Sequence, residues 1–145
     1  MFYRHLAFVC FLGVSIYAFD LVNHDNLYRI LDKKGVPGCI KRIIIFWYEK
    51  QFFCIKWGGT TLHSFGVSNG VRQGGILSPH FFNVYIDELT VTLNACKTGC
   101  SLNNVLFNHK MFADDMAIIA PLVKGLKLLI RLCEQVASRL DITFN

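Results

Sequence analysis

The chain has 145 residues, a formal net charge of +5, 53% hydrophobic residues and 17% charged ones. That length suits one domain and buries roughly two-thirds of the unfolded surface, and the composition excludes a disordered or low-complexity chain. The charge suits a polyanionic partner such as nucleic acid, but the fifteen Lys and Arg residues are dispersed, so no basic patch can be read from order alone.

Residues 6–19 form an apolar run, β-branched and aromatic, that reads as a buried strand. Arg4-His5 ahead of it, with Ala18 as a cleavage residue, also has the outline of a signal peptide. The run is too short to span a bilayer, Ile16 fits a cleavage site poorly, and the chain passes without a break into Asp20-Leu21-Val22-Asn23-His24. A helix is expected over residues 25–34, with Leu27, Ile30 and Leu31 inward and Gly35 as its stop. Pro37 opens a second helix, where its missing N–H costs nothing; Ile40, Ile43, Ile44 and Trp47 mark the face expected to be buried.

Residues 52–67 read as a β-hairpin turning at Gly58-Gly59. The polar, glycine-rich loop Gly70-Val71-Arg72-Gln73-Gly74-Gly75 follows, and Ser78-Pro79 begins a helix with the stripe Phe82, Tyr85, Leu89 and Leu93. Such a loop is a seat for a phosphate or base: glycines admit a close backbone approach, Arg72 can grip a phosphate with two N–H groups, and Gln73 can meet a base or sugar edge. Taken alone, an ordinary capped loop with an exposed arginine is the plainer reading. Residues 101–110 look turn-rich, residues 124–139 form an amphipathic helix with Leu126, Leu129, Ile130, Cys133 and Val136 inward, and residues 141–145 suggest a short strand. Four of the six cysteines fall in apolar patterns, as reduced core thiols would. Cys96 and Cys100 with His109 hold part of a zinc ligand set, without an evident fourth ligand.

Between the last two helices lies Met111-Phe112-Ala113-Asp114-Asp115-Met116-Ala117-Ile118-Ile119-Ala120. This is a hairpin whose expected turn is Asp-Asp. Adjacent carboxylates in an apolar segment are costly unless paired, and a hard divalent cation is the economical partner; a solvated type I turn is the plain alternative. The strands, helices and hairpins together fit an α+β sandwich with helices on one face of the sheet.

Three stretches occur in a fixed order: Ala18-Phe19-Asp20-Leu21-Val22-Asn23-His24, Gly70-Val71-Arg72-Gln73-Gly74-Gly75-Ile76-Leu77-Ser78-Pro79 with Phe82-Asn83-Val84-Tyr85, and Phe112-Ala113-Asp114-Asp115. In this order they resemble the palm domain of the reverse transcriptases of non-LTR retrotransposons, over nearly the whole chain. Phe144-Asn145 resembles the start of that family's next motif. The resemblance implies RNA-directed DNA polymerase activity: nucleotidyl transfer from deoxynucleoside triphosphates on an RNA template and DNA primer, aided by two Mg²⁺ ions. It implies Asp114 as a metal ligand and Asp115 as its less direct neighbour, both catalytic. Phe19 would crowd the ribose 2′ position, while Arg72, Gln73 and Gly74 would line the nascent base pair. A partial reverse transcriptase domain over residues 1–145, a palm with fingers and thumb lacking, and an intracellular place in cytoplasm or nucleus without a membrane partner follow as expectations.

The departures weigh as much as the match. The family's first-strand motif is an Asp, four residues, then Phe-Asp; counting back from Phe19 reaches Val14, and aligning on Cys10-Phe11-Leu12 reaches Gly13. Neither is a carboxylate. Asp20 would sit on the order of 20 Å along an extended strand at about 3.3 Å per residue, and a one-residue insertion flips side chains to the opposite face. A metal pair held from one side loses charge neutralisation worth several kcal/mol, at about 1.4 kcal/mol per decade of rate. The expectation is therefore an inactive copy, a pseudoenzyme, with its apolar faces open to association. A non-catalytic nucleic-acid-binding remnant and a small secreted protein are the alternatives.

Overall fold

The computed structural model describes residues 10–15 and 19–144, with side chains from Phe19 onward. The signal-peptide features at Arg4-His5 and Ala18, and the strand expected at residues 6–9 and 16–18, lie outside these. In chain order the elements are β1 (Cys10–Ser15), α1 (His24–Lys33), α2 (Gly38–Glu49), β2 (Phe52–Phe53), β3 (Lys56–Trp57), β4 (Thr60–Thr61), β5 (Phe65–Gly66), α3 (Ser78–Ala95), β6 (Cys100–Leu102), β7 (Val105–Phe107), β8 (His109–Phe112), β9 (Asp115–Ala120) and α4 (Val123–Leu140). The class is α+β. Two compact units divide the chain: Phe19–Tyr85, and the remainder, made of the N-terminal strand and the chain from Ile86 onward.

In the unit Phe19–Tyr85, Asn23 caps α1, its side chain accepting from the Asn26 N–H at 3.1 Å. This is the role of a short polar residue in extended conformation ahead of a helix. Leu27 and Leu31 are buried as expected, one turn apart. Gly35 ends the helix at φ +76°, which a residue without Cβ adopts without steric cost. Helix α2 bears out its expected face only at Ile44, which is buried together with Tyr48, whereas Ile40, Ile43 and Trp47 are exposed. Lys41, Arg42 and Glu49 share one side of the helix, so periodicity points the buried face opposite them, and packing turns it from there. The aromatic neighbours choose it, with Tyr48 lying 4.6 Å from the His24 ring and 6.0 Å from Phe81. The hairpin after α2 turns at Gly58-Gly59 with φ of +53° and +82°, as a two-residue turn with both central residues left-handed requires. Its pairing is interrupted, β3 with β4 near the turn and β2 with β5 further back, and Phe52, Trp57 and Phe65 on it are exposed.

The other unit contains a three-stranded antiparallel sheet in the order β1-β9-β8. The resemblance implies the N-terminal strand as the central one; among the described residues β9 holds that place and β1 lies beside it. Along β9 the buried residues alternate, Met116, Ile118 and Ala120, which is the period of a half-buried strand. Helix α4 packs against β9 and buries Leu129, Cys133, Val136, Ala137 and Leu140. The α3 residues Leu89 and Leu93 are fully buried, as the stripe requires. The turn-rich stretch 101–110 is instead a third hairpin, β6 with β7, because Asn103 and Asn104 accept φ of +50° and +64°. The strand expected over residues 141–145 is reduced to a single bridge residue, Phe144, among the described residues; Asp141 ends α4 in the left-handed region at φ +54°. No described helix is long and apolar enough to cross a membrane.

The cysteines only partly fit a core role. Cys133 is buried, and burial with the Glu134 charge pushes its thiol up to about 12, so it is an inert thiol. Cys39 and Cys54 are exposed.

Candidate active site

The two motif regions belong to different units. In the unit Phe19–Tyr85, the chain at 19–22 turns and the glycine-rich loop is hydrogen-bonded onto that turn. The Gly70 N–H donates to the Val22 carbonyl at 2.8 Å and the Val71 N–H to the Phe19 carbonyl at 2.6 Å. Phe19 and Asp20 thus lie in a turn rather than on the strand expected to carry them. Phe19 stacks on Phe82, ring centroids 5.0 Å apart. Beyond the buried Val71, the exposed Arg72 and Gln73 line a cavity of about 490 Å³ together with Asp20, Phe53, Phe65 and Val67. The Gln73 amide N–H₂ donates to Asp20 Oδ1 at 3.3 Å. Gly74 is exposed in the turn at φ +77°. At the far end of the loop the Ser78 hydroxyl donates to the Arg72 carbonyl at 2.5 Å. Of the four residues expected to meet a nucleotide, the structure brings Arg72 and Gln73 to one cavity wall, with Gly74 next in the chain and Phe19 turned onto the Phe82 ring.

A second cavity in this unit, also about 490 Å³, is lined by Asp25, Tyr28, Tyr48, Glu49 and Ser68 among others. Burial first, then the charges of Tyr48, Glu49 and Asp25, push the Tyr28 hydroxyl up to about 12. It remains a neutral donor at ordinary pH and cannot serve as a base.

In the other unit, β8 and β9 pair with Phe112 opposite Asp115. The hairpin turn is therefore Ala113-Asp114, not Asp-Asp, and Asp115 is the first residue of β9. The turn needs a left-handed residue, and Ala113 supplies it at φ +52°. Both carboxylates are exposed. Across the sheet the register sets Ser15 opposite Asp115, Val14 opposite Met116 and Gly13 opposite Ala117. No residue of β1 is acidic. Among the described residues no group of three or more His, Cys, Asp or Glu side chains is placed to hold a metal ion. The donor set accordingly does not fit the metal pair that the sequence motif implies, and Cys96, Cys100 and His109 do not form a zinc site. The hairpin is held at its base instead: buried Asn108 donates to the carbonyls of Leu93 at 2.5 Å and Cys96 at 3.3 Å, capping α3. Those bonds fix the amide orientation, so Asn108 Oδ1 accepts from His109 Nδ1–H at 2.7 Å, and burial pushes the imidazole down.

Sequence reasoning missed four of these tethers: Asn108, the Ser78 hydroxyl on Arg72, the Asp20 bond to Gln73, and a bond from His24 Nε2 to the Gly70 carbonyl at 2.7 Å. Of these Ser78 alone left a local signal, since serine before proline marks a helix start, though its hydroxyl donates back to the loop.

Comparison with known proteins follows the same stretches. The family model described as reverse transcriptase (RNA-dependent DNA polymerase) matches residues 15–145. The Retrovirus-related Pol polyprotein from type-2 retrotransposable element R2DM of Drosophila melanogaster is 32% identical over 113 residues, 78% of this chain and 11% of that protein. A Pol polyprotein from type-1 retrotransposable element R2 of Popillia japonica is 32% identical over 103 residues, 70% of this chain and 17% of its own length. One of the same description from Nasonia vitripennis is 29% identical over 110 residues, 76% of this chain and 11% of its own length. The chain thus spans a small part of these relatives.

Proposed function

Because the chain belongs to the reverse transcriptase (RNA-dependent DNA polymerase) family, we propose that it is the palm segment of a non-LTR retrotransposon polymerase whose metal site is incomplete, so that it does not synthesise DNA as it stands. The observation that carries this reading is the β1–β9 register. The strand that faces the Asp115 end of β9 offers Gly13, Val14 and Ser15, where the resemblance calls for an Asp. The family match itself starts at Ser15, after the two positions at which that Asp would align. Template RNA, DNA primer and deoxynucleoside triphosphates are the substrates of the ancestral reaction, and cytoplasm or nucleus is where the chain would meet them.

Primer extension on poly-rA with oligo-dT, in Mg²⁺ or Mn²⁺, tests the reading on a sample shown to be folded by circular dichroism. No extension is expected. Extension that Asp114→Ala abolishes would refute it.

One observation favours a second reading, that of a non-catalytic nucleic-acid-binding remnant. From Lys50 to Ile86 the chain contains no Asp or Glu, and within that stretch Arg72 and Gln73 line an open cavity beside Phe53 and Phe65. Affinity for a primer–template duplex should then fall with salt, each neutralised phosphate adding about 0.9 to the logarithmic slope. Binding that ignores salt would count against it.

A further inference from the structure

The loop that presents Arg72 and Gln73 has no regular secondary structure, yet its backbone course is tightly fixed at one end. Gly70 has φ +90°, and a Cβ there would come within 3.1 Å of Phe19 and Asp20 backbone atoms. Both of its peptide groups are engaged: the N–H by the Val22 carbonyl at 2.8 Å, the carbonyl by His24 Nε2 at 2.7 Å. A carbonyl only accepts, so His24 must carry its proton on Nε2. The imidazole is itself held, lying 4.6 Å from the Tyr48 ring and 6.2 Å from the Tyr28 ring. Asn23 and Asn69, the residues immediately before His24 and Gly70, are joined by an antiparallel bridge. Two residues beyond Gly70 the chain emerges from buried Val71 as exposed Arg72.

We infer that His24 is a positioning residue for the Arg72–Gln73 edge of the cavity, acting through the Gly70 carbonyl. The inference rests on the reading of that edge as a nucleic-acid contact, and it assigns His24 a task the sequence motif does not announce. His24 also lines that cavity, but in this scheme it acts through the Gly70 carbonyl and not on the ligand. Its ring, locked between α1 and α2, fixes the direction in which the chain leaves Gly70 and hence where the guanidinium and amide are presented. The Asp20 carboxylate adds a separate brace on the same edge, accepting from the Gln73 N–H₂ at 3.3 Å.

The test uses the full chain and three variants. His24→Phe keeps a ring against Tyr48 but removes the donor; His24→Gln restores a donor; Arg72→Ala removes the group being positioned. Amide hydrogen exchange over residues 70–75 should quicken about fivefold in His24→Phe, the share of one ordinary hydrogen bond, and return toward wild type in His24→Gln. Affinity for a poly-rA/oligo-dT duplex should fall by a similar factor in His24→Phe, recover in His24→Gln, and show no further loss when His24→Phe is added to Arg72→Ala, the non-additivity expected of groups acting as one. Unchanged exchange at 70–75 in His24→Phe would overturn the inference. So would a loss of affinity that persists undiminished in the Arg72→Ala background, because that marks general destabilisation. A wild-type chain that does not bind the duplex counts against the functional reading alone, and the exchange measurement still decides the brace.

Discussion

The glycine-rich loop and the aspartate turn are the two motif-bearing regions of this chain, and they are built on different principles. The loop is fixed by bonds at both ends: Gly70, Val71 and Arg72 each give a backbone group to a named partner in the same unit. The turn at Ala113-Asp114 is fixed through its strands, by their pairing, by Asn108 beneath β8 and by the Thr90 hydroxyl, which donates to Met111 Sδ on β8 at 3.4 Å. Of its two carboxylates Asp114 lies in the turn and Asp115 begins β9, whose neighbour β1 brings no acid. A motif of the first kind keeps its shape from its own surroundings. One of the second kind keeps its fold through strand pairing, while any chemistry it has depends on what a neighbouring strand brings to it.

The sharpest break in this contrast is Gly70→Ala. A left-handed backbone and a Cβ crowding Phe19 and Asp20 should cost about 3 kcal/mol, read as a lower urea midpoint, with exchange at 70–75 accelerated well beyond the rest of the unit. Asn108→Ala attacks the other region where it is held. It leaves the buried Leu93 carbonyl without its side-chain donor and should cost about 2 kcal/mol in the same unfolding measurement. The smallest change should come at the tip. Ala113→Gly relieves a left-handed non-glycine residue and should be neutral to stabilising by less than about 1 kcal/mol. A destabilisation larger than that for Ala113→Gly would show that the tip, like the loop, is held by contacts of its own.

Much of the fold is written in local pattern. The α3 stripe Phe82, Tyr85, Leu89 and Leu93 is buried throughout, because residues three and four apart share one helix face. Gly58-Gly59 turns its hairpin as two residues free of Cβ must. The family, too, was legible in the order and spacing of three short motifs. Other features were settled by neighbours distant in sequence. Helix α2 has a broad apolar surface opposite Lys41, Arg42 and Glu49, and the rings of His24 and Phe81 select Ile44 and Tyr48 over Ile40, Ile43 and Trp47. Strand register moved the turn one residue, from Asp114-Asp115 to Ala113-Asp114, since pairing Phe112 with Asp115 leaves only two residues between the strands.

The sequence by itself determined which residues this chain has for chemistry, because the identities along β1 include no acid whatever the fold does with them. The tertiary structure alone decided which groups hold those residues in place. A hydrogen bond such as His24 Nε2–H to the Gly70 carbonyl joins positions 46 residues apart, and no periodicity or spacing rule reaches across that interval; only the folded path of the backbone brings donor and acceptor to 2.7 Å.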